Sequence, residues 1–177
     1  MVGVLALQGD FEAHRHILDG LGADSREVRT PADLAGLSAL ILPGGESTTM
    51  TLGAVREGLD RALHEVAAEG LPILATCAGM ILLDSEHLGV LDMRTERNAF
   101  GRQIRSFESD VSLDGFDEPI HAVFIRAPWV IEHGASVAPI GEIDGHVIAV
   151  RSGKILAVAF HPELTGETRL HRWLLEQ

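Results

Sequence analysis

Cys77 is the only cysteine in the chain of 177 residues, and its surroundings suit a nucleophile. Pro72 to Ala75 predicts a short buried strand and Ala78 to Leu83 the start of a helix, so the thiol falls on the turn between them. A tight turn from strand into helix lifts the side chain out of the packing and sets the next backbone N–H groups beside it. Gly79 lets backbone approach closely there. The helix N-terminus favours negative charge, both on a thiolate and on an oxyanion formed next to it. A buried core cysteine fits this stretch equally well, so the choice rests on the rest of the chain.

His161-Pro162-Glu163 follows the last apolar run. Proline fixes its own φ and pushes His161 out of the helical region, so the tripeptide should be extended, with the His161 and Glu163 side chains on one side. A carboxylate so placed can hold the imidazole in one tautomer while the other ring nitrogen faces a nucleophile. The tripeptide alone is also compatible with a strand end without function. Gly44-Gly45, after another apolar run, can turn N–H groups toward a developing negative charge, which nominates the N–H groups of Gly45 and Ala78 as an oxyanion hole. An ordinary glycine turn is the alternative. His14 and His16 stand two apart on a predicted helix, face different directions and read as surface residues.

The elements that must position these groups alternate. Val2 to Leu7 predicts a strand, Phe11 to Leu21 a helix stopped at Gly22, Glu27-Val28 a weak strand, and Pro31 to Leu34 a helical turn. Ala39 to Leu42 predicts a third strand, Val55 to Ala68 a helix stopped at Gly70, and the fourth strand leads to Cys77. This is the pattern of a parallel sheet covered by helices, which binds ligands at the carboxyl ends of its strands, where Gln8, Gly44-Gly45 and Cys77 fall. Beyond Leu88 the segments Phe107 to Leu113, Ile120 to Ile125, His146 to Arg151 and Ile155 to Phe160 read as antiparallel, joined by Asp114-Gly115, Asp144-Gly145 and Ser152-Gly153, and extend or flank the same sheet. Gly166 to Glu176 predicts a closing helix with Leu170, Trp173 and Leu174 inward. The expected fold is one three-layer α/β domain over residues 1–177, a mostly parallel sheet flanked by helices with an antiparallel appendage.

Bulk properties narrow the function classes. Hydrophobic residues make up 46% and charged residues 23% of the chain, with a net charge of −12. The acidity would repel phosphate backbones, and no basic stripe offsets it, so nucleic acid is not an expected partner. No apolar run approaches the roughly 20 residues of a membrane span, and the amino terminus reads as a first strand rather than a signal peptide, which implies a cytoplasmic protein. One cysteine excludes a disulfide framework and a multi-cysteine zinc site, and neither a phosphate-loop lysine nor a spaced histidine pair appears; no metal is expected.

Cys77 in Ala-Thr-Cys-Ala-Gly, with His161-Pro162-Glu163 near the end, resembles the triad of class I glutamine amidotransferases, a flavodoxin-like fold. More narrowly, four blocks resemble the glutaminase subunits of pyridoxal 5'-phosphate synthase: Leu7-Gln8-Gly9, Leu42 to Met50, Glu96 to Gln103, and Phe124 to Pro128. The resemblance covers essentially the whole chain; one departure is a connection from Leu83 to Leu88 shorter than usual. It implies hydrolysis of L-glutamine by a Cys77-His161-Glu163 triad, with Gly45, Glu46, Ser47, Arg97, Ile125 and Arg126 holding the substrate. Glu46 would suit the α-ammonium group and Arg97 or Arg126 the α-carboxylate. It further implies delivery of ammonia to a (βα)8-barrel synthase subunit in a large hetero-oligomer, with no cofactor in this chain because pyridoxal 5'-phosphate is the partner's product. The alternatives are a catalytically silent docking subunit, a glutaminase serving another synthase, and a stand-alone cysteine hydrolase of the deglycase-like branch, in which a histidine usually follows the cysteine where Ala78 stands here.

Overall fold

The structure, a computed structural model, describes residues 1–100 and 106–177. Gly101-Arg102-Gln103, the end of one of the four blocks, lie outside the described residues.

The first half alternates as the sequence predicts: β1 (Val2–Leu5), α1 (Phe11–Gly20), β2 (Ser25–Val28), a 3-10 turn (Pro31–Leu34), β3 (Ala39–Leu42), α2 (Ser47–Glu57), α3 (Leu59–Ala68), β4 (Ile73–Thr76) and α4 (Ala78–Leu83). The single helix expected over Val55 to Ala68 is in fact two. Gly58 adopts φ 71°, a left-handed conformation that ends α2 and turns the chain into α3. The helix also begins eight residues earlier than its apolar spacing suggests, because the Glu46 carboxylate accepts the Thr48 and Thr49 N–H groups and caps it.

The second half adds β5 (Met93–Glu96), β6 (Ser106–Val111), β7 (Ile120–Ile125), β8 (Trp129–His133), β9 (Ala138–Ile143), β10 (His146–Ser152), β11 (Ile155–Val158), a 3-10 turn (Pro162–Leu164) and α5 (Arg169–Leu175). The main sheet runs β2-β1-β3-β4-β11-β10-β8-β5, with β9 also paired to β10. From β2 to β11 the strands are parallel; β10, β8 and β5 continue antiparallel. β11 was expected among the antiparallel segments, yet it pairs parallel with β4 on one side and antiparallel with β10 on the other. This places His161, just past β11, beside Cys77, just past β4: Val158 is the register partner of Thr76. β6 and β7 do not extend the main sheet but form a separate two-stranded sheet.

β1, β3, β4 and β11 are buried along their full length, as continuous apolar runs in a covered parallel block should be. Each buried Leu, Ile or Val there contributes about 1.5–3 kcal/mol of burial free energy. α1 meets α5 through His14 and His171, while α2 packs on α3 and α4, and α4 lies on β3, β4 and β11. Gly79 makes the last contact possible: a Cβ there would overlap the Leu42 carbonyl oxygen.

Candidate active site

Cys77 lies at the end of β4 with φ 46° and ψ −104°. A non-glycine residue in such a conformation costs of order 1–3 kcal/mol and persists only where its surroundings hold it. Here the Cys77 N–H donates to Val158 O at 2.8 Å, and Cys77 O accepts the Met80 N–H at 3.1 Å. The strand therefore feeds directly into α4, and the Ala78 N–H is left as one of the free donors of the helix start. Cys77 is 6% exposed and unpaired with any other cysteine. Its Sγ lies 3.9 Å from the Ile125 carbonyl oxygen.

His161 lies between the thiol and a carboxylate. Its Nδ1 is 2.7 Å from Glu163 Oε1, and the ring stands beside Cys77, the two side chains flanking the same point over Gly44. Burial works against protonation of the ring, but the neighbouring Cys77 and then Glu163 outweigh it and push its pKa up to about 10. His161 accordingly carries its proton at neutral pH. The far side of the ring rests on backbone: a Cβ on Gly44 would overlap His161 Cε1 and lie 2.9 Å from Nδ1 and 3.4 Å from Cys77 Cβ. His161 and Glu163 are each 7% exposed.

A cleft of about 90 Å³ opens over the thiol. Gly45, Glu46, Ser47, Cys77 and Ala78 line one part of it, and Arg97, Ile125 and Arg126 another, so all the residues nominated from the sequence except His161 and Glu163 surround one space; those two stand behind the thiol. Arg97 Nη1 donates to Ser47 Oγ at 3.1 Å and Thr48 Oγ1 at 2.9 Å. The Glu46 carboxylate is turned back onto α2, accepting from Thr48 N, Thr49 N and Thr49 Oγ1. The Thr49 hydroxyl and amide hold its pKa at about 2, so it carries full negative charge at neutral pH. The Glu46 N–H in turn donates to Gln8 Oε1 at 2.5 Å, tying the glycine loop to the end of β1. Ile81 and Asn98 complete the lining and were not nominated; Asn98 adopts φ 51°, and its place beside Arg97 was the available signal.

The surface assignment of His14 is wrong, while that of His16 holds. His14 is 0% exposed, with Nε2 3.4 Å from Glu163 Oε2 and 3.3 Å from Thr76 Oγ1, and Nδ1 2.9 Å from His171 Nε2. Helical spacing carried the signal: His14 is three and four residues before Ile17 and Leu18, the buried face of α1. Asp84, also missed, organises the turn after α4, accepting the Glu86 and His87 N–H groups on Oδ1 and the Thr95 N–H on Oδ2.

The chain is 50% identical to the pyridoxal 5'-phosphate synthase subunit PdxT of Mycolicibacterium vanbaalenii, covering 97% of this chain and 94% of that protein. It is 47% identical to the PdxT subunit of Pelotomaculum thermopropionicum, covering 99% and 94%. Among solved structures, one described as a glutamine amidotransferase superposes with a TM-score of 0.93 at 46% identity, over 99% of this chain and 97% of that one. Residues 4–177 match the SNO glutamine amidotransferase family. With the cysteine, the histidine and the carboxylate brought together at adjacent strand ends, and with that match running nearly end to end, the chain belongs to the SNO glutamine amidotransferase family.

Proposed function

We propose that this chain is the glutaminase subunit of a pyridoxal 5'-phosphate synthase, acting in the cytoplasm, and that it hydrolyses L-glutamine to L-glutamate and ammonia for a (βα)8-barrel synthase subunit in a large hetero-oligomer. The observation that carries the reading is Cys77 in the lining of a cleft with the His161 ring beside it, the ring's Nδ1 2.7 Å from the Glu163 carboxylate.

With the proton on His161, the Cys77 sulfur attacks the side-chain carboxamide carbon of glutamine, and the N–H groups of Gly45 and Ala78 receive the oxyanion. Collapse breaks the C–N bond, His161 gives its proton to the leaving nitrogen, and ammonia departs from a thioester. Water then adds to the thioester with His161 taking a proton, and collapse expels the thiolate and releases glutamate. Glu163 holds Nδ1 through both steps. The sum is glutamine plus water to glutamate plus ammonia, which requires no cofactor.

Arg97 or Arg126 binds the α-carboxylate, Glu46 meets the α-ammonium group, and Ser47 and Ile125 shape the space between. Replacing Arg97 with alanine is expected to raise KM for glutamine by roughly 10-fold or more with a small change in kcat, since an ion-paired hydrogen bond in a closed site contributes about 1.5–3 kcal/mol. Steady-state kinetics unchanged from wild type would remove Arg97 from the substrate site.

The reading is tested by supplying a barrel synthase subunit with its pentose phosphate and triose phosphate and following pyridoxal 5'-phosphate formation. Glutamine should support synthesis only when this chain is present, and ammonium salts should bypass it. Synthesis from ammonium but none from glutamine, in a complex shown to assemble, would refute the assignment.

A further inference from the structure

The glutaminase chemistry uses one oxygen of Glu163. The other, Oε2, is buried and accepts no hydrogen bond from the described residues, an expensive condition for a carboxylate. The group facing it is His14, whose Nε2 stands 3.4 Å away; Thr76 Oγ1 is 3.3 Å from the same nitrogen. His14 Nδ1 is engaged by His171 Nε2 at 2.9 Å, and the far nitrogen of His171, Nδ1, is buried with no hydrogen bond of normal geometry among the described residues, the Glu167 backbone acting on the ring. Both rings and the Glu163 side chain are sealed from solvent. Of the two tautomer arrangements these contacts allow, one turns a lone pair of His14 toward the buried carboxylate and the other supplies it a donor; the second is the one that relieves Glu163. His171, bearing its hydrogen on Nε2, donates to His14 Nδ1. That contact puts the His14 hydrogen on Nε2, where it points toward Glu163. Burial, then His171 and His161, hold His14 neutral, so it offers a directed donor without adding a second positive charge beside the triad.

We propose that His14 is a positioning residue for the triad: its Nε2–H holds Glu163 Oε2, with His171 fixing the tautomer, so that Oε1 stays aimed at His161 Nδ1. The proposal rests on the glutaminase reading, and α1 and α5 thereby reach a reaction centre built on β4 and β11. Without the donor, Glu163 turns or takes up a proton, His161 loses its anionic partner, and the proton is no longer held beside the sulfur. A displacement of the order of 1 Å in such a site costs on the order of 100-fold.

The test compares His14→Gln, which presents an amide N–H near the Nε2 position, with His14→Asn, which reaches only the Nδ1 position, and with His14→Leu. Each is followed by thermal melting, by glutaminase kinetics with the synthase partner, and by the pH dependence of Cys77 alkylation by iodoacetamide in the chain alone. The groups around His14 that bear on that profile are Glu163, His161 and His171, with Glu167 acting on His171. His14→Asn and His14→Leu should lose roughly 10- to 100-fold in kcat with KM within about threefold. Their alkylation midpoint should rise by about one pH unit, because a carboxylate partner within reach of a cation shifts it by one to three units. His14→Gln should restore most of both. Equal behaviour of the folded Gln and Asn variants, or a wild-type alkylation profile in His14→Asn, would overturn the proposal. Because alkylation needs neither glutamine nor partner, failure of the glutaminase reading would show separately, as a wild type that releases no glutamate.

Discussion

Replacing His161 with asparagine is expected to lower glutamine turnover by about 100- to 10,000-fold, the range by which a positioned acid–base group accelerates proton transfer, while the protein stays folded. Asparagine can still offer an N–H toward Glu163, so the buried carboxylate is not abandoned. It can neither hold the proton beside the Cys77 sulfur nor deliver it to departing ammonia. Both half-reactions should suffer, since in the proposed mechanism the same ring serves as acid in thioester formation and as base in its hydrolysis. The loss should fall on kcat, with KM little changed, because His161 lies behind the thiol and not in the lining of the cleft. Glutamate release measured with the partner present separates the two parameters. A variant within tenfold of wild type would mean that another group carries the proton.

A methyl group added where no reacting atom is touched should be nearly as damaging. At Gly44 the new Cβ would overlap His161 Cε1 and crowd Nδ1 at 2.9 Å. The ring cannot back away, because Nδ1 is tied to a buried Glu163 at 2.7 Å, so Gly44→Ala is expected to swing the imidazole off the sulfur. A displacement of this kind costs on the order of 100-fold in turnover, and the overpacking about 1–3 kcal/mol in stability. Gly20→Ala is the matched control: its Cβ would meet nothing within 4 Å among the described residues, and it should leave activity unchanged. Kinetics and melting of both proteins check the pair; an active Gly44→Ala would show that His161 has more freedom than its packing implies.

The two strands that carry the triad were legible as apolar runs ending in chemistry-bearing residues. The contact across the sheet was not, because His161 is 84 residues from Cys77 and nothing local states that β11 inserts parallel beside β4 while β10, which precedes it in the chain, runs antiparallel to it. Resemblance supplied that link before geometry did. The error over α2 has a local cause: Leu52 and Val55 are 66% and 56% exposed, so apolar spacing there misreports the buried face, and the Glu46 cap and Gly58 turn decide the ends. His14 was misplaced for the opposite reason. A histidine beside charged residues reads as surface until its spacing to Ile17 and Leu18 is given more weight than its polarity. β5, β8 and β9 escaped notice because their residues alternate burial weakly, as edge and appended strands do.

The most direct test of the central claim is glutamate release from glutamine by the purified chain with a barrel synthase subunit bound, using Cys77→Ala as the comparison. The account predicts release by wild type and loss of all but a trace in the variant, with binding of the partner unaltered. Release that persists in Cys77→Ala, or a wild type that binds its partner and releases none, would contradict it.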